Sequence, residues 1–579
     1  MKKYLFFFRN YKKALYLAPG LVIVDVFCEI VQPQLMSKIV DNGVTQKSMQ
    51  YILQTGGIML VLSIIAIAAN VGNIYYSSRA SVGFASELRK GLYSKIQKFS
   101  FSNLDRLSSA SLVTRLTNDV NILQDVIMMS LRLLIRAPLM LLFAVIIAIR
   151  INAGLASIIA VAIPFLAVSI FIILRKGLPF FEKVQQKLDK VNLVIQENLL
   201  NVRVVKSFVR EDFEKKKFSV TNDELRAISV KASGTVVLIL PVMQLVMNLS
   251  IVAIVWFGGN KIISGTFQVG QLMSFITYIT QILMSLMMLS MTIMSFSRAG
   301  ASSERILEVL NTTVDIIDSP QAKENNLQVK QGKVEFENVF FKYHADGTEY
   351  VLKDINFTVN PGETVAIIGA TGSAKSTLVQ LIPRLYEVTK GRILIDGVEI
   401  RNYTIHNLRS RINLVLQQNE LFSGTIRQNL KWGNVMASDE DLIAAAKDAQ
   451  ADDFIMSFPK QYETVLGQGG VNISGGQKQR LCIARAILGK PAILILDDST
   501  SAVDVATEGR IRESFSRHLK GTSIFIIAQR ISSVQSADQI ILIDNGEIIG
   551  RGKHDELIKT SAVYKEIYFS QQLQKVSAV

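Results

Sequence analysis

The sequence predicts two folds in series: a membrane protein with a six-helix all-α transmembrane domain bearing long cytosolic helical extensions, then an α/β domain built on a phosphate-binding loop (P-loop). Three observations predict this. Six apolar windows of roughly 20 residues or more precede residue 300, each long enough to cross ~30 Å of hydrocarbon as a helix. The segments between them alternate between short and poor in Lys and Arg, and long and rich in both. Finally, the apolar run Thr364-Val365-Ala366-Ile367-Ile368 enters Gly369-Ala370-Thr371-Gly372-Ser373-Ala374-Lys375-Ser376, and a helical pattern starts at Thr377. A strand, a glycine-bearing loop and a helix in that order cradle phosphate.

Composition agrees. A chain of 579 residues is too long for one domain. Hydrophobic residues make up 49%, and a mean hydropathy of +0.31 is high for a soluble enzyme. The net charge of +15 has two readings, nucleic-acid binding or the positive-inside rule. The charges concentrate in the two long loops, which favours the second, and no nucleic-acid partner is expected. Cys28 and Cys482 are too few and too far apart for a disulfide framework or a zinc site. Residues 1–13 carry Lys2, Lys3, Arg9, Lys12 and Lys13 without a small-residue cleavage site, and read as an amphipathic segment on the inner membrane face rather than a signal peptide.

The membrane domain is placed at 14–300, with spans near 15–38, 52–76, 133–150, 155–174, 234–258 and 270–297. The long loops, 79–132 and 175–231, hold Arg89, Lys90, Lys95, Lys98, Arg175, Lys176, Lys206, Arg210, Lys215, Lys216 and Lys217. That bias puts both termini and both loops in the cytosol, with a multi-pass chain in a bacterial cytoplasmic membrane. Both loops have apolar residues at three-to-four spacing, so the spans are expected to continue as helices well outside the bilayer. Two segments are singled out as loop-tip helices, Ser111–Val120 and Glu197–Phe208. Within the membrane, Asp25 and Glu29 lie four apart on one helix face. Such carboxylates mark either a site for cationic compounds or a polar partner on a neighbouring helix. Asp41 is a candidate for an external gate. Met273, Met284, Met287, Met288, Met291 and Met294, with Gln244, Asn248 and Gln281, are candidates for an adaptable apolar lining.

Residues 301–332 carry mixed charge and turn signals and read as a linker. From 333 to 579, strand and helix patterns alternate. In the P-loop, backbone N–H groups would face the α/β-phosphates, Lys375 would reach the β/γ-phosphates, and the Ser376 hydroxyl would ligate Mg²⁺. The residue before the lysine is Ala374 where the pattern has glycine. Tyr343 is placed to stack on adenine. Gln417, after an apolar strand, is placed to reach Mg²⁺ and the attacking water. Ile473-Ser474-Gly475-Gly476-Gln477 is a helix start suited to clamping a γ-phosphate. The strand Ala492–Leu496 ends in Asp497, a ligand for the Mg²⁺ shell, and Ser501-Ala502-Val503-Asp504 follows.

A P-loop, then an ISGGQ segment, then an apolar strand ending in aspartate resembles the nucleotide-binding domain of the ATP-binding cassette (ABC) superfamily. With six preceding spans, the whole chain resembles a half-transporter of the ABC exporter class. The resemblance implies ATP and Mg²⁺ as ligands, loop-tip coupling helices, and a dimer. Each ATP would be sandwiched between the P-loop residues 369–377 of one subunit and the Ser474–Gln477 segment of the other.

The chain departs from that family at four places. Asp498 stands at the catalytic glutamate position, Gln529 at the switch-loop histidine, Gln468 at the glutamate just ahead of the signature, and Ala374 at the P-loop glycine. A carboxylate one methylene shorter is poorly placed to polarise water, and glutamine cannot carry an imidazolium charge. The signature is nearly intact, with Ile473 for the usual leucine. The resemblance therefore implies a slow ATP site paired with a good signature, as in the degenerate subunit of heterodimeric bacterial multidrug exporters. The expected function is an ATP-driven translocase exporting drugs or other amphipathic compounds beside a homologous partner subunit. Lipid or peptide export, a homodimer and an ATP-sensing regulatory subunit are the alternatives. The six spans oppose a soluble ATPase acting on nucleic acid.

Overall fold

The computed structural model describes residues 2–343, 347, 349–499 and 503–576. The chain forms two compact units. One comprises residues 1–96 and 110–311, the other 97–109 and 312–579.

Among the described residues, six helices are long and apolar enough to cross a membrane. They run Phe6–Val44, Met49–Ile96, Ser109–Ile151, Ala153–Leu200, Glu211–Ile263 and Val269–Asn311. At ~1.5 Å per residue, the 48-residue Met49–Ile96 helix is about 70 Å long, more than twice the hydrocarbon thickness. The extensions expected from the loop periodicity are therefore present, and the sixth helix continues past residue 300 to Asn311. The turn between the third and fourth helices is fixed by Asn152, whose side chain accepts from the Leu155 N–H at 3.1 Å and from Lys261 Nζ at 2.9 Å.

The core of this unit packs Val22, Val26 and Ile30 of the first helix against Met140 and Ala144 of the third and Phe275, Tyr278 and Ile282 of the sixth. Tyr278 Oη donates to the Ile30 carbonyl at 2.6 Å. Asp41 accepts from the Gly270 N–H at 2.7 Å and from Ser37 Oγ at 3.1 Å, so it caps the first turn of the sixth helix. A Cβ at Gly270 would lie 2.4 Å from the Ser37 carbonyl oxygen, so glycine permits that approach.

The polar partner of Asp25 and Glu29 is Arg136 on the third helix, which the sequence reading had not singled out. Arg136 Nη1 donates to Asp25 Oδ2 at 2.5 Å, and Nη2 donates to Glu29. Asn70 Nδ2 lies 3.4 Å from the same Asp25 oxygen. The positive charge facing these carboxylates is built into the chain and need not arrive with a transported compound. Met273, Met284 and Met288 are exposed, as are Gln244 and Asn248. The Met291 and Met294 side chains lie outside the described residues.

One expectation is corrected. Ser111–Val120 is not a loop-tip helix; it lies within the continuous Ser109–Ile151 helix. Its charged residues are paired there. Asp119, 0% exposed, accepts from Arg305 Nε at 2.8 Å and Ser302 Oγ at 2.9 Å. Arg115 Nη2 meets Glu308 at 2.7 Å. The short helix of this loop is Phe101–Leu107, and it belongs to the second unit. Ser100 starts it as a capping box, with Asn103 as the reciprocal partner. In the second long loop, a short helix does form at the tip, Val202–Ser207. Leu200, Phe208 and Val209 beside it are 76%, 72% and 81% exposed.

Among the described residues the second unit carries two larger sheets and a two-stranded one. Strands β1 (Val334–Phe341), β2 (Leu352–Val359), β4 (Lys390–Ile395) and β5 (Val398–Glu399) form an antiparallel sheet in the order β2-β1-β4-β5. The larger sheet runs β12-β11-β3-β10-β9-β6. Its members are β3 (Thr364–Ile368), β6 (Ile412–Val415), β9 (Ile493–Asp497), β10 (Ser523–Ile527), β11 (Gln539–Asp544) and β12 (Glu547–Gly552). Short strands β7 (Gly424–Thr425) and β8 (Val465–Leu466) pair separately. Strands β9 and β10 are buried at every residue, as continuous apolar runs in a parallel sheet should be. The register fixes the site. Ile527 of β10 lies opposite Ile367 of β3 on one side and Asp497 of β9 on the other. The carboxyl ends of three adjacent parallel strands thus stop at one level, where such sheets bind ligands.

Candidate functional site

The loop after β3 is shaped by its glycines. A Cβ at Gly369 would sit 2.0 Å from the Ile543 carbonyl oxygen, so no larger residue fits. Gly372 has φ +86°. Ala370 and Thr371 are exposed, whereas Ser373 and Thr377 are buried. Ala374 adopts φ +71° and ψ +22°, left-handed, immediately before the Lys375–Leu381 helix. That explains why glycine is usual there: an L-residue in this conformation costs about 1 kcal/mol. Lys375 folds back over the loop, donating to the carbonyls of Gly369 at 3.0 Å and Ala370 at 2.7 Å. Burial lowers its pKa, and Asp498 and Asp497 oppose that shift.

Ser376 Oγ donates to Asp497 Oδ1 at 2.8 Å. A hydroxyl and one carboxylate meeting at the mouth of a phosphate loop fit Mg²⁺, which takes few protein ligands and is otherwise held by phosphates and water. Among the described residues no group of three or more His, Cys, Asp or Glu could hold a metal. Asp497 is held above its ordinary value of 3.8, by burial first and also by Asp498, against Ser376 and Lys375. Only the carboxylate form ligates a cation. On acidification, Mg²⁺-dependent ATP binding should therefore begin to weaken at a higher pH than a free aspartate would set, and recover as the pH rises. ATP titrations with and without Mg²⁺ across pH check this; a midpoint at or below 3.8 would refute it.

Asp498, Gln529 and Gln417 lie together. Gln529 Nε2 donates to Asp498 Oδ2 at 2.9 Å, and the Gln417 side chain also hydrogen-bonds Asp498. The Asp498 N–H donates to the Ile527 carbonyl at 3.1 Å, and Asp498 itself sits at φ +47°. Burial raises its pKa, with Gln529, Lys375 and Gln417 opposing. The cluster brings a short carboxylate and two neutral amides together just past the carboxyl ends of β9 and β10.

Tyr343 is 39% exposed, with its hydroxyl 2.8 Å from Thr377 Oγ1. Its ring meets Phe341 and Tyr386 edge-on at 4.9 and 5.2 Å. Tyr386 Oη in turn donates to Asp105 at 2.7 Å, and Phe101 packs on its ring at 5.9 Å. Tyr343, Tyr386, Asp105, Arg106, Lys342 and Glu387 line part of an 810 Å³ cavity. The sequence reading missed Tyr386 and Asp105, which stand in no motif; their link is a contact between residues 281 positions apart.

Ser474 caps the 14-residue Gly475–Leu488 helix in a capping box with Gln477. Ser474 and Gly475 are exposed. Among the described residues no hydrogen bond joins 474–477 to 369–377. Gln468 lies in a tight turn, with Gly469 and Gly470 both at φ +64°. Asp504 caps the Val505–His518 helix, while Ser501 and Ala502 lie outside the described residues.

Comparison with known proteins gives consistent matches. The family described as ABC transporter transmembrane region matches residues 15–286, and that described as ABC transporter matches 352–501. An uncharacterized ABC transporter ATP-binding protein of Bacillus subtilis, YfiB, is 42% identical over 99% of this chain and 98% of its own. A second B. subtilis protein, YgaD, provisionally named a multidrug export ATP-binding/permease protein, is 33% identical over 99% of both chains. An ATP-dependent lipid A-core flippase of Desulfotalea psychrophila is 31% identical over 97% of both. Among solved structures, a bacterial Atm1-family ABC exporter with ATP bound matches with a TM-score of 0.81 and 26% identity, covering 96% of this chain and 99% of the other.

Proposed function

The chain belongs to the ABC transporter family, and from that premise we propose that it exports drugs or other amphipathic compounds as one half of a heterodimer whose second ATP site it completes. It is an ABC exporter half-transporter, a multi-pass membrane protein with an ATPase domain. In the proposal the ATPase domain faces the cytosol of a bacterial cell. Lys375, the backbone of residues 369–377 and Tyr343 bind ATP. Ser376, Asp497 and Gln417 hold Mg²⁺, which neutralises developing phosphate charge when bound. Asp498 and Gln529 leave this site slow, so that it stays occupied through the transport cycle. Ser474, Gly475, Gly476 and Gln477 close over the partner's ATP, and hydrolysis there resets the pump.

The observation that carries this reading is Asp498. Its carboxylate stands where the family has glutamate, engaged by the amides of Gln529 and Gln417. The start of the Gly475–Leu488 helix, exposed at Ser474 and Gly475, supports the second half of it. The similarity to a lipid A-core flippase favours lipid export as a second reading of the cargo.

The test compares the purified chain alone with the chain co-purified with the product of the adjacent gene. Turnover should be low alone and rise about 10²-fold with the partner, the contribution of a well-placed general base. Ser474→Ala should then remove most of the gain. Equal turnover without the partner, or an unaltered rate in the Ser474→Ala protein, would overturn the heterodimer.

A further inference from the structure

The switch loop is held from behind by the C-terminal helix, Ala562–Val576, through one side chain. Strand β10 ends at Ile527, so residues 528–531 have left the sheet and their backbone groups need partners elsewhere. Gln571 supplies two. Its carbonyl oxygen accepts from the Ile531 N–H at 2.8 Å, and its amide nitrogen donates to the Gln529 carbonyl at 2.8 Å. A carboxamide offers a donor and an acceptor side by side without a change of protonation. The helix is itself anchored: Tyr564 and Ile531 belong to one buried core, and Ile567 and Tyr568 pack on it. Gln529, gripped through its backbone, is the residue whose side chain donates to Asp498.

We propose that Gln571 is a positioning residue for the ATP site, fixing the switch-loop backbone and through it the Gln529 amide relative to Asp498 and the γ-phosphate. This rests on reading Gln529 as the switch-loop position. The test uses the full-length protein in lipid nanodiscs. Gln571→Ala should speed exchange of the Ile531 amide by about fivefold to tenfold, since that N–H loses its hydrogen bond to Gln571. It should slow single-turnover ATP cleavage by about tenfold, since small displacements of a reacting group are costly, and leave ATP affinity unchanged. Gln571→Glu, which keeps the acceptor and sets a carboxylate oxygen against the Gln529 carbonyl, should slow cleavage equally. In a Gln529→Ala background, Gln571→Ala should add no further loss. Unaltered exchange, or the same loss in both backgrounds, overturns the proposal. The exchange readout is independent of how fast the site cleaves ATP and of any partner, so its failure and that of the slow-site reading are separable.

Discussion

Asp498→Glu combined with Gln529→His should raise ATP turnover at this chain's own site by about 10²-fold, within the ~10²–10⁴ range of a well-placed general base. The geometry explains why both changes are needed. Asp498 sits at the end of β9 with a left-handed backbone, and one carboxylate oxygen is taken by the Gln529 amide. Lengthening the acid by one methylene extends its reach past that amide. Replacing the amide by an imidazole keeps a donor beside the carboxylate and adds a group able to carry charge toward the γ-phosphate. Phosphate release from the full-length protein in nanodiscs measures the effect. A flat rate would remove Asp498 and Gln529 as the cause of a slow site. Ala374, strained at φ +71°, would then be the residue to replace, by glycine.

Arg136→Ala should cost the folded membrane domain about 3–5 kcal/mol, the usual penalty for breaking a buried ion pair by removing one partner. Arg136 pairs with two carboxylates on the facing helix, and the Asp25 side chain is only 9% exposed. Deleting the cation leaves both acids without their guanidinium, with the neutral Asn70 amide 3.4 Å from Asp25. Adding Asp25→Asn and Glu29→Gln to the same chain should recover most of the loss, because the stranded charges disappear with it. Thermal unfolding of the three proteins in one detergent checks the pair of outcomes. An unchanged midpoint for Arg136→Ala, or no recovery in the triple variant, would show that the triad is not what holds the helices together.

Much of this fold is legible from residues that act locally. The glycine-bearing loop after β3, the helix start at Ser474 and the buried run into Asp497 each depend on a short stretch of chain, and each forms where the sequence places it. The helix ends are less legible. The apolar window at 52–76 marks only the part of Met49–Ile96 that a bilayer requires, and the rest is amphipathic helix without a sharp limit. Misreadings arise where a contact spans long separations. Arg115 and Asp119 look like solvated charges until Arg305 and Glu308 arrive beside them. The Phe101–Leu107 helix is hidden because its capping partner is Asn103 rather than glutamate or glutamine. Arg136, Tyr386 and Gln571 carry no motif, since a distant partner defines each one.

The thirteen residues 97–109 sit inside the first long loop in sequence, yet fold as part of the ATPase unit. A soluble fragment starting at residue 312 would leave behind Asp105 and Phe101, uncovering the Tyr386 hydroxyl and ring, and Ser100 and Asn103, stripping Asp315 of its side-chain donors. Gene dissection at the obvious border between the halves therefore yields an incomplete catalytic module. Biochemistry on that fragment would describe a protein missing a piece of its own wall.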